Sequence, residues 1–177
     1  MDTVLPDYQA AIDEALQLVY SQHHRLISRL HKDSFQELTL EQLREGALGQ
    51  DLRRLAAVAR GDEAEPKEQV LQAIDSVLQV LFWPAAADDY MVPRSFWDTD
   101  LGRMLALAKY RAYDRAELVS IGSAAQQLGV TRPTIYRWMD DRTLNYVRDD
   151  MSGRTFVVRR DVDTLRQVAA GLAMEGQ

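Results

Sequence analysis

Cysteine is absent from this chain of 177 residues. That excludes a disulfide framework and every thiolate metal site. Histidine is scarce, with only His23, His24 and His31. His24 and His31 share one face of a predicted helix, but a metal would need a third ligand such as Asp33. Surface or interface histidines are therefore expected, with no metal and no cofactor. No window approaches the run of about 18 uncharged apolar residues that a membrane span requires. The start, Met1 to Asp7, lacks the basic opening and apolar run of a signal peptide. The expectation is a cytoplasmic protein without a membrane partner. Also missing are a glycine-rich phosphate loop, a nucleophile elbow and a Cys-His arrangement. The pairs Asp88-Asp89, Asp140-Asp141 and Asp149-Asp150 are adjacent residues that point in different directions, so they make no acid-base pair. No catalytic residue is expected, and the chain does not read as an enzyme.

What is present is ordinary globular material. The chain is 46% hydrophobic, with 21 Lys+Arg against 27 Asp+Glu for a formal net charge of −6. The length suits one or two domains, and the hydrophobic content argues against disorder as the overall state. The first hundred residues have helical periodicity. From Tyr8 to about His31, the residues Ile12, Leu16, Val19, Leu26 and Leu30 make one apolar stripe. A second helix runs from a capping box at Thr39-Leu40-Glu41-Gln42 to about Ala59, and Gly46 and Gly49 weaken, bend or split its middle. A loop at Gly61 to Glu65 and Pro66 precede a third helix that ends near Pro84. A fourth begins at Ser95 or Thr99 and runs to Tyr113, with Phe96 and Trp97 as a packing anchor beside its start. The expected division is a helical oligomerisation domain over 1–94, a connecting helix over 95–114 and a third region over 115–177.

That third region carries the functional information. In Ile121 to Met139, Ala124, Leu128, Val130, Ile135 and Trp138 fall where two short crossing helices need apolar inner faces. Ala125 is small where the helices approach. Gly129 suits a left-handed turn after the first helix. Thr131 is positioned to cap the second through its hydroxyl, just ahead of Arg132 and Pro133. This is the pattern of a helix-turn-helix. Its second helix would present Arg132, Thr134, Tyr136 and Arg137 outward, where base edges lie when such a helix enters the major groove.

After the motif, Leu144 to Arg148 and Arg154 to Val158 have strand composition and flank a turn-forming cluster, Asp149 to Gly153. Asp161 could cap a last helix with Val162, Leu165, Val168, Ala169 and Leu172 inside. The predicted fold class is mainly α: an N-terminal helical bundle plus a C-terminal winged helix-turn-helix with a two-stranded β-hairpin wing. From about Leu118 to Leu172, on "SIGSAAQQLGVTRPTIYRWM" and "LNYVRDDMSGRTFVVRRDVDTLRQV", the chain resembles the excisionase and mercury-resistance-regulator (MerR-type) DNA-binding domains. The resemblance implies a prokaryotic or phage protein whose second helix reads the major groove while the hairpin touches the neighbouring backbone. Carried over by position, Arg132, Thr134, Tyr136 and Arg137 would read bases. Ser123, Thr131, Arg142, Arg148, Arg154 and Arg159 would meet phosphates. One departure is the pair Asp149 and Asp150, where those families often place basic residues and glycines.

Charge is divided unevenly. Residues 115–177 hold nine Arg, no Lys and eight acidic residues, against 12 basic and 19 acidic residues before them. Arginine suits bidentate contacts to guanine or phosphate. A net charge near +1 is small for phosphate neutralisation by one copy. The expected function is therefore sequence-specific binding of double-stranded DNA by a homodimer or higher oligomer joined through the N-terminal helices, as a transcriptional regulator. A phage or mobile-element factor, or a DNA-organising or segregation protein, fits the same residues. The alternative is a protein-interaction adaptor whose winged domain has lost DNA binding.

Overall fold

A computed structural model describes residues 8–29, 38–82, 90–149 and 152–175. Leu30, His31, Asp33, Pro84, the Asp88-Asp89 pair and Asp150 lie outside them. The chain divides into two compact units, Met1–Ala112 and Tyr113–Gln177. The fold is mainly helical, with one small sheet in the second unit.

The first unit is a helical bundle. α1 (Gln9–Arg29) buries Ala11, Ile12, Ala15 and Leu16, all in its first half. Its apolar stripe runs further than its cover does. Val19 is half-buried, and Leu26 is 59% exposed.

The expected second helix is two. In α2 (Leu40–Glu45) the capping box is complete: the Gln42 N–H donates to Thr39 Oγ1 at 3.1 Å, and the Thr39 N–H donates to Gln42 Oε1 at 2.9 Å. Gly46, at φ −74° and ψ 178°, then leaves the helical region and starts α3 (Ala47–Arg60). The break frees the Arg44 carbonyl, which accepts a 2.7 Å bond from the Arg53 guanidinium. Gly49 sits under that same carbonyl, and a Cβ there would collide with it. Both glycines thus belong to one sharp change of direction.

Between α4 (Lys67–Phe82) and α5 (Asp100–Arg111), α3 is buried around much of its circumference. Leu52, Leu55, Val70, Val77, Met104 and Leu105 are fully buried in this core. Each buried side chain of this size contributes roughly 1.5–3 kcal/mol. A short 3-10 turn, Arg94–Asp98, precedes α5, with Phe96 buried edge-on against Phe82 at 4.9 Å and Trp97 at 5.3 Å between ring centroids. Thr99 caps α5 by accepting from the Gly102 N–H at 3.1 Å. The segment expected to connect two domains is thus part of the core. Met104, Leu105, Leu107 and Ala108 turn the same helix into a wall of the bundle.

The second unit opens with a 3-10 turn (Arg115–Glu117) and β1 (Leu118–Ser120), followed directly by α6 (Ile121–Leu128) and α7 (Arg132–Asp140). A hairpin follows, β2 (Tyr146–Asp149) and β3 (Arg154–Val158), and then α8 (Arg159–Glu175). The sheet has three strands in the order β1-β3-β2, both pairs antiparallel. The two-stranded wing expected from sequence is therefore extended by β1, with Leu118 opposite Val158. α6 and α8 pack on one side of this sheet, around Val119, Val157 and Val162. This arrangement is the winged helix-turn-helix architecture.

No helix among the described residues is long and apolar enough to cross a membrane.

Candidate nucleic-acid interface

The site is built on the joint between α6 and α7. Ser120 ends β1 and caps α6, accepting from the Ser123 N–H at 3.1 Å. Gly129 then takes φ 66° and ψ 28°, and the Val130 N–H closes on the Ala125 carbonyl at 3.0 Å. A side chain at Gly129 would be strained by that conformation. Ala124 and Ile135 are fully buried across the joint, Ala125 nearly so, and Leu128, Val130 and Trp138 pack around them. One face of α7 is therefore fixed, and its opposite face is presented outward.

Thr131 departs from expectation. It occupies the N-cap position of α7 but makes no hydroxyl bond to the helix backbone. Two local causes explain this. Pro133 supplies no N–H, and the Thr134 N–H is already bonded to the Thr131 carbonyl at 3.0 Å. The Thr131 hydroxyl instead lies 3.0 Å from that of Thr134.

On the outward face, Arg132, Tyr136 and Arg137 are exposed, Tyr136 by 51%, while Thr134 is half-buried. The Arg132 guanidinium folds back onto α6. Its Nη2, Nε and Cζ lie 3.1, 3.6 and 3.7 Å from where a Cβ on Gly122 would stand. Ser123 is exposed on the same first turn of α6.

The exit of α7 is unusual. Arg142 has φ 61°, the one positive φ of a non-glycine residue among the described residues. It stands where helices commonly place glycine. The Leu144 N–H reaches back to the Trp138 carbonyl at 2.9 Å, and Leu144 is buried at 1% exposure. Hydrogen bonds from the Thr143 side chain and backbone N–H hold the Asp141 carboxyl below its ordinary 3.8, with Arg137 adding a smaller pull. Whatever stability this brings is present above 3.8 and is lost as the pH falls through the depressed value. Because a left-handed conformation suits glycine, Arg142→Gly should stabilise the protein by about 0.5–1 kcal/mol. Denaturant titration checks this. If Arg142 meets a phosphate, the same variant should bind duplex DNA less well, so stability and affinity move in opposite directions.

In the wing, Arg148 pairs with Thr155 and Asp149 with Arg154. Successive strand residues alternate faces. Arg148 therefore shares a face with Tyr146 and Val157, the side that packs on the helices, and Arg154 lies on the other. The two arginines flank the tip without sharing a surface. Asp149 has a local role, since its carboxylate accepts a bond from the Ser152 hydroxyl within the turn. Arg159 stands at the far end of β3 from Arg154, and its Nε donates to the Ala116 carbonyl at 2.6 Å. That bond ties the start of α8 to a 3-10 turn at Arg115–Glu117.

Asp161 also differs from expectation. β3 passes into α8 without a loop, so the helix begins at Arg159 and Asp161 lies inside its first turn. Its carboxylate instead accepts from the Asn145 backbone N–H at 2.8 Å and side chain at 3.0 Å. Asn145 was not singled out by sequence, and no local pattern would have found it, because its partner is 16 residues away. Of the α8 stripe, Val162 is fully buried and Leu165 half-buried, whereas Val168 is 55% exposed.

Arg132, Thr134, Tyr136 and Arg137 are thus brought together on α7, with Ser123 and Thr131 at its joint and Arg142 at its exit. Arg148 and Arg154 form a second location at the wing tip, and Arg159 a third. Among the described residues, no three His, Asp or Glu side chains are placed to hold a metal. No protein-family model, curated protein or solved structure matches the chain.

Proposed function

We propose that the Tyr113–Gln177 unit is a winged helix-turn-helix, of the excisionase and MerR type, that binds double-stranded DNA with α7 in the major groove. The observation that carries this reading is the division of α7 into two faces. Ile135 is fully buried against α6 while Arg132, Tyr136 and Arg137 are left exposed. Docking by one face is what a reading helix needs, because its outer side chains must meet base edges at a fixed height. Arg142 supports it, since backbone strain at an exposed arginine is the kind of outlier that accompanies a functional position.

The proposed molecule is a homo-oligomer joined through the N-terminal helices, and it acts on DNA in the cytoplasm or nucleoid as a transcriptional regulator. A phage, mobile-element, DNA-organising or segregation factor would use the same surface. The uncovered end of the α1 stripe, with Leu26 exposed, supports the joining role. Low net charge supports it independently, since two linked copies double the number of phosphates neutralised.

Selection of bound duplexes from a random pool tests the proposal. The expected product is a palindrome with half-sites about one helical turn, or a multiple of it, apart. Enrichment of AT-rich DNA without a motif would favour an organising role. A second reading, a protein-interaction adaptor, is favoured by the near balance of arginines and carboxylates in residues 115–177. Failure to retain any duplex at low salt would select that reading.

A further inference from the structure

We infer that Arg132 grips the DNA backbone and does not read a base, that Gly122 holds it there, and that sequence reading falls to Tyr136 and Arg137. This rests on the DNA-binding reading above and assigns the roles within it. Position along the helix would make Arg132 a base reader, since residues at the start of the second helix meet base edges. Its guanidinium, however, is not directed along α7. Three of its atoms lie within 3.7 Å of where a Gly122 Cβ would be, on the first turn of α6. In a helix-turn-helix the first helix crosses the sugar-phosphate backbone and the second enters the groove. A guanidinium drawn onto α6 therefore lies on the side that meets phosphates. Arginine binds either target with its fork of donors, so the placement decides between them.

Gly122 points the same way. It lies inside a helix and has no positive φ. Alanine is the better helix former there, so the backbone gives no reason for glycine. A methyl group would stand 3.1 Å from Arg132 Nη2. That is tighter than most real Cβ contacts, so the guanidinium would have to give by a few tenths of an ångström. Glycine thus makes room for Arg132.

The other candidates narrow in turn. Thr134 is half-buried, and its hydroxyl is engaged with Thr131 at 3.0 Å. Tyr136 and Arg137 remain exposed on α7. Arg137 supplies the bidentate fork for guanine, and Tyr136 a ring and one hydroxyl. Each copy would then discriminate over very few base pairs.

The test compares the parent with Arg132→Ala, Arg132→Lys, Gly122→Ala and the Gly122→Ala/Arg132→Ala double variant. Binding is measured on the duplex selected from a random pool and on its single-base variants, across a salt series. Gly122→Ala should fold with an equal or higher Tm, so lost binding is not lost structure. Arg132→Ala should weaken every duplex by the same factor and reduce the salt slope by about 0.9, one phosphate's share. Arg132→Lys should restore most of that slope. Gly122→Ala should weaken binding in the parent and have no effect once Arg132 is alanine. A loss confined to the preferred duplex, with preference flattened at one base pair, would make Arg132 a base reader and overturn the inference. So would equal effects of Gly122→Ala in both backgrounds. A parent that binds no duplex overturns the DNA-binding reading, and this inference with it. The other adverse results leave that reading standing.

Discussion

Arg137→Ala should lower affinity for the preferred duplex about 5- to 150-fold, the equivalent of roughly 1–3 kcal/mol for one bidentate base contact. Binding to unrelated duplexes should fall far less, because nonspecific affinity depends on the number of phosphates neutralised. The reason lies in the placement of Arg137. It is exposed on α7, one residue beyond Tyr136 and two beyond the fully buried Ile135 that fixes the helix. Asp141 lies close enough to Arg137 for each to feel the other's charge. This places a fixed carboxylate beside the arginine and away from the start of the helix. Arg166→Ala is the matched control. Arg166 pairs with Asp163 at 3.5 Å on α8, and its removal deletes the same charge from the same unit. Side-by-side titrations of the two variants on selected and scrambled duplexes check the prediction. If both lose affinity equally on both duplexes, α7 does not read sequence.

How much of this was legible in the sequence depended on whether the decisive contact was local. The joint between α6 and α7 was legible because its rules are short-range. Gly129 turns the chain, Ala125 allows the approach, and Ile135 and Trp138 return at helical spacing. The capping box at Thr39 was equally readable. β1 was not, because three residues have no period to detect, and Leu118 becomes a strand only by pairing with Val158 forty residues on. The Thr131 cap failed for a reason also present in the sequence, the missing N–H of Pro133. The preference of Asp161 for a helix start is local, whereas its bonds to Asn145 are tertiary. α5 has the same apolar stripe whether it joins domains or lines a core, and only its packing against α3, α4 and α1 decides between these. For the candidate site, sequence named the residues on α7 but not the direction in which each side chain leaves the helix. Arg132 shows the difference, because its guanidinium lies beside a glycine ten residues earlier.

Ile135→Ala should have the opposite profile to Arg137→Ala, with a large loss of stability and a loss of binding only as its consequence. Ile135 is fully buried at the centre of the second unit, among Ala124, Ala125, Leu144 and Val157. Truncating a buried isoleucine to alanine costs about 2–5 kcal/mol, because transfer energy is lost and a cavity remains. A domain of about 60 residues buries only about 60% of its unfolded surface and is correspondingly marginal. The cost is therefore comparable with the whole stability of such a unit. The buried core of the first unit, including Leu52, Leu55, Val77 and Met104, shares no residue with the cluster around Ile135. The expected result is loss of the second unit while the first stays folded. Hydrogen exchange resolved by segment should show residues 118–165 deprotected, with protection retained in α3 and α4. Arg137→Ala, a surface change, should shift stability by no more than about 0.5 kcal/mol. If Ile135→Ala instead unfolds both units in one transition, the two cores are energetically coupled. Each unit would then owe part of its stability to the other, and that coupling would join the low charge of a single copy and the uncovered α1 stripe as a reason to expect DNA binding to depend on the N-terminal helices.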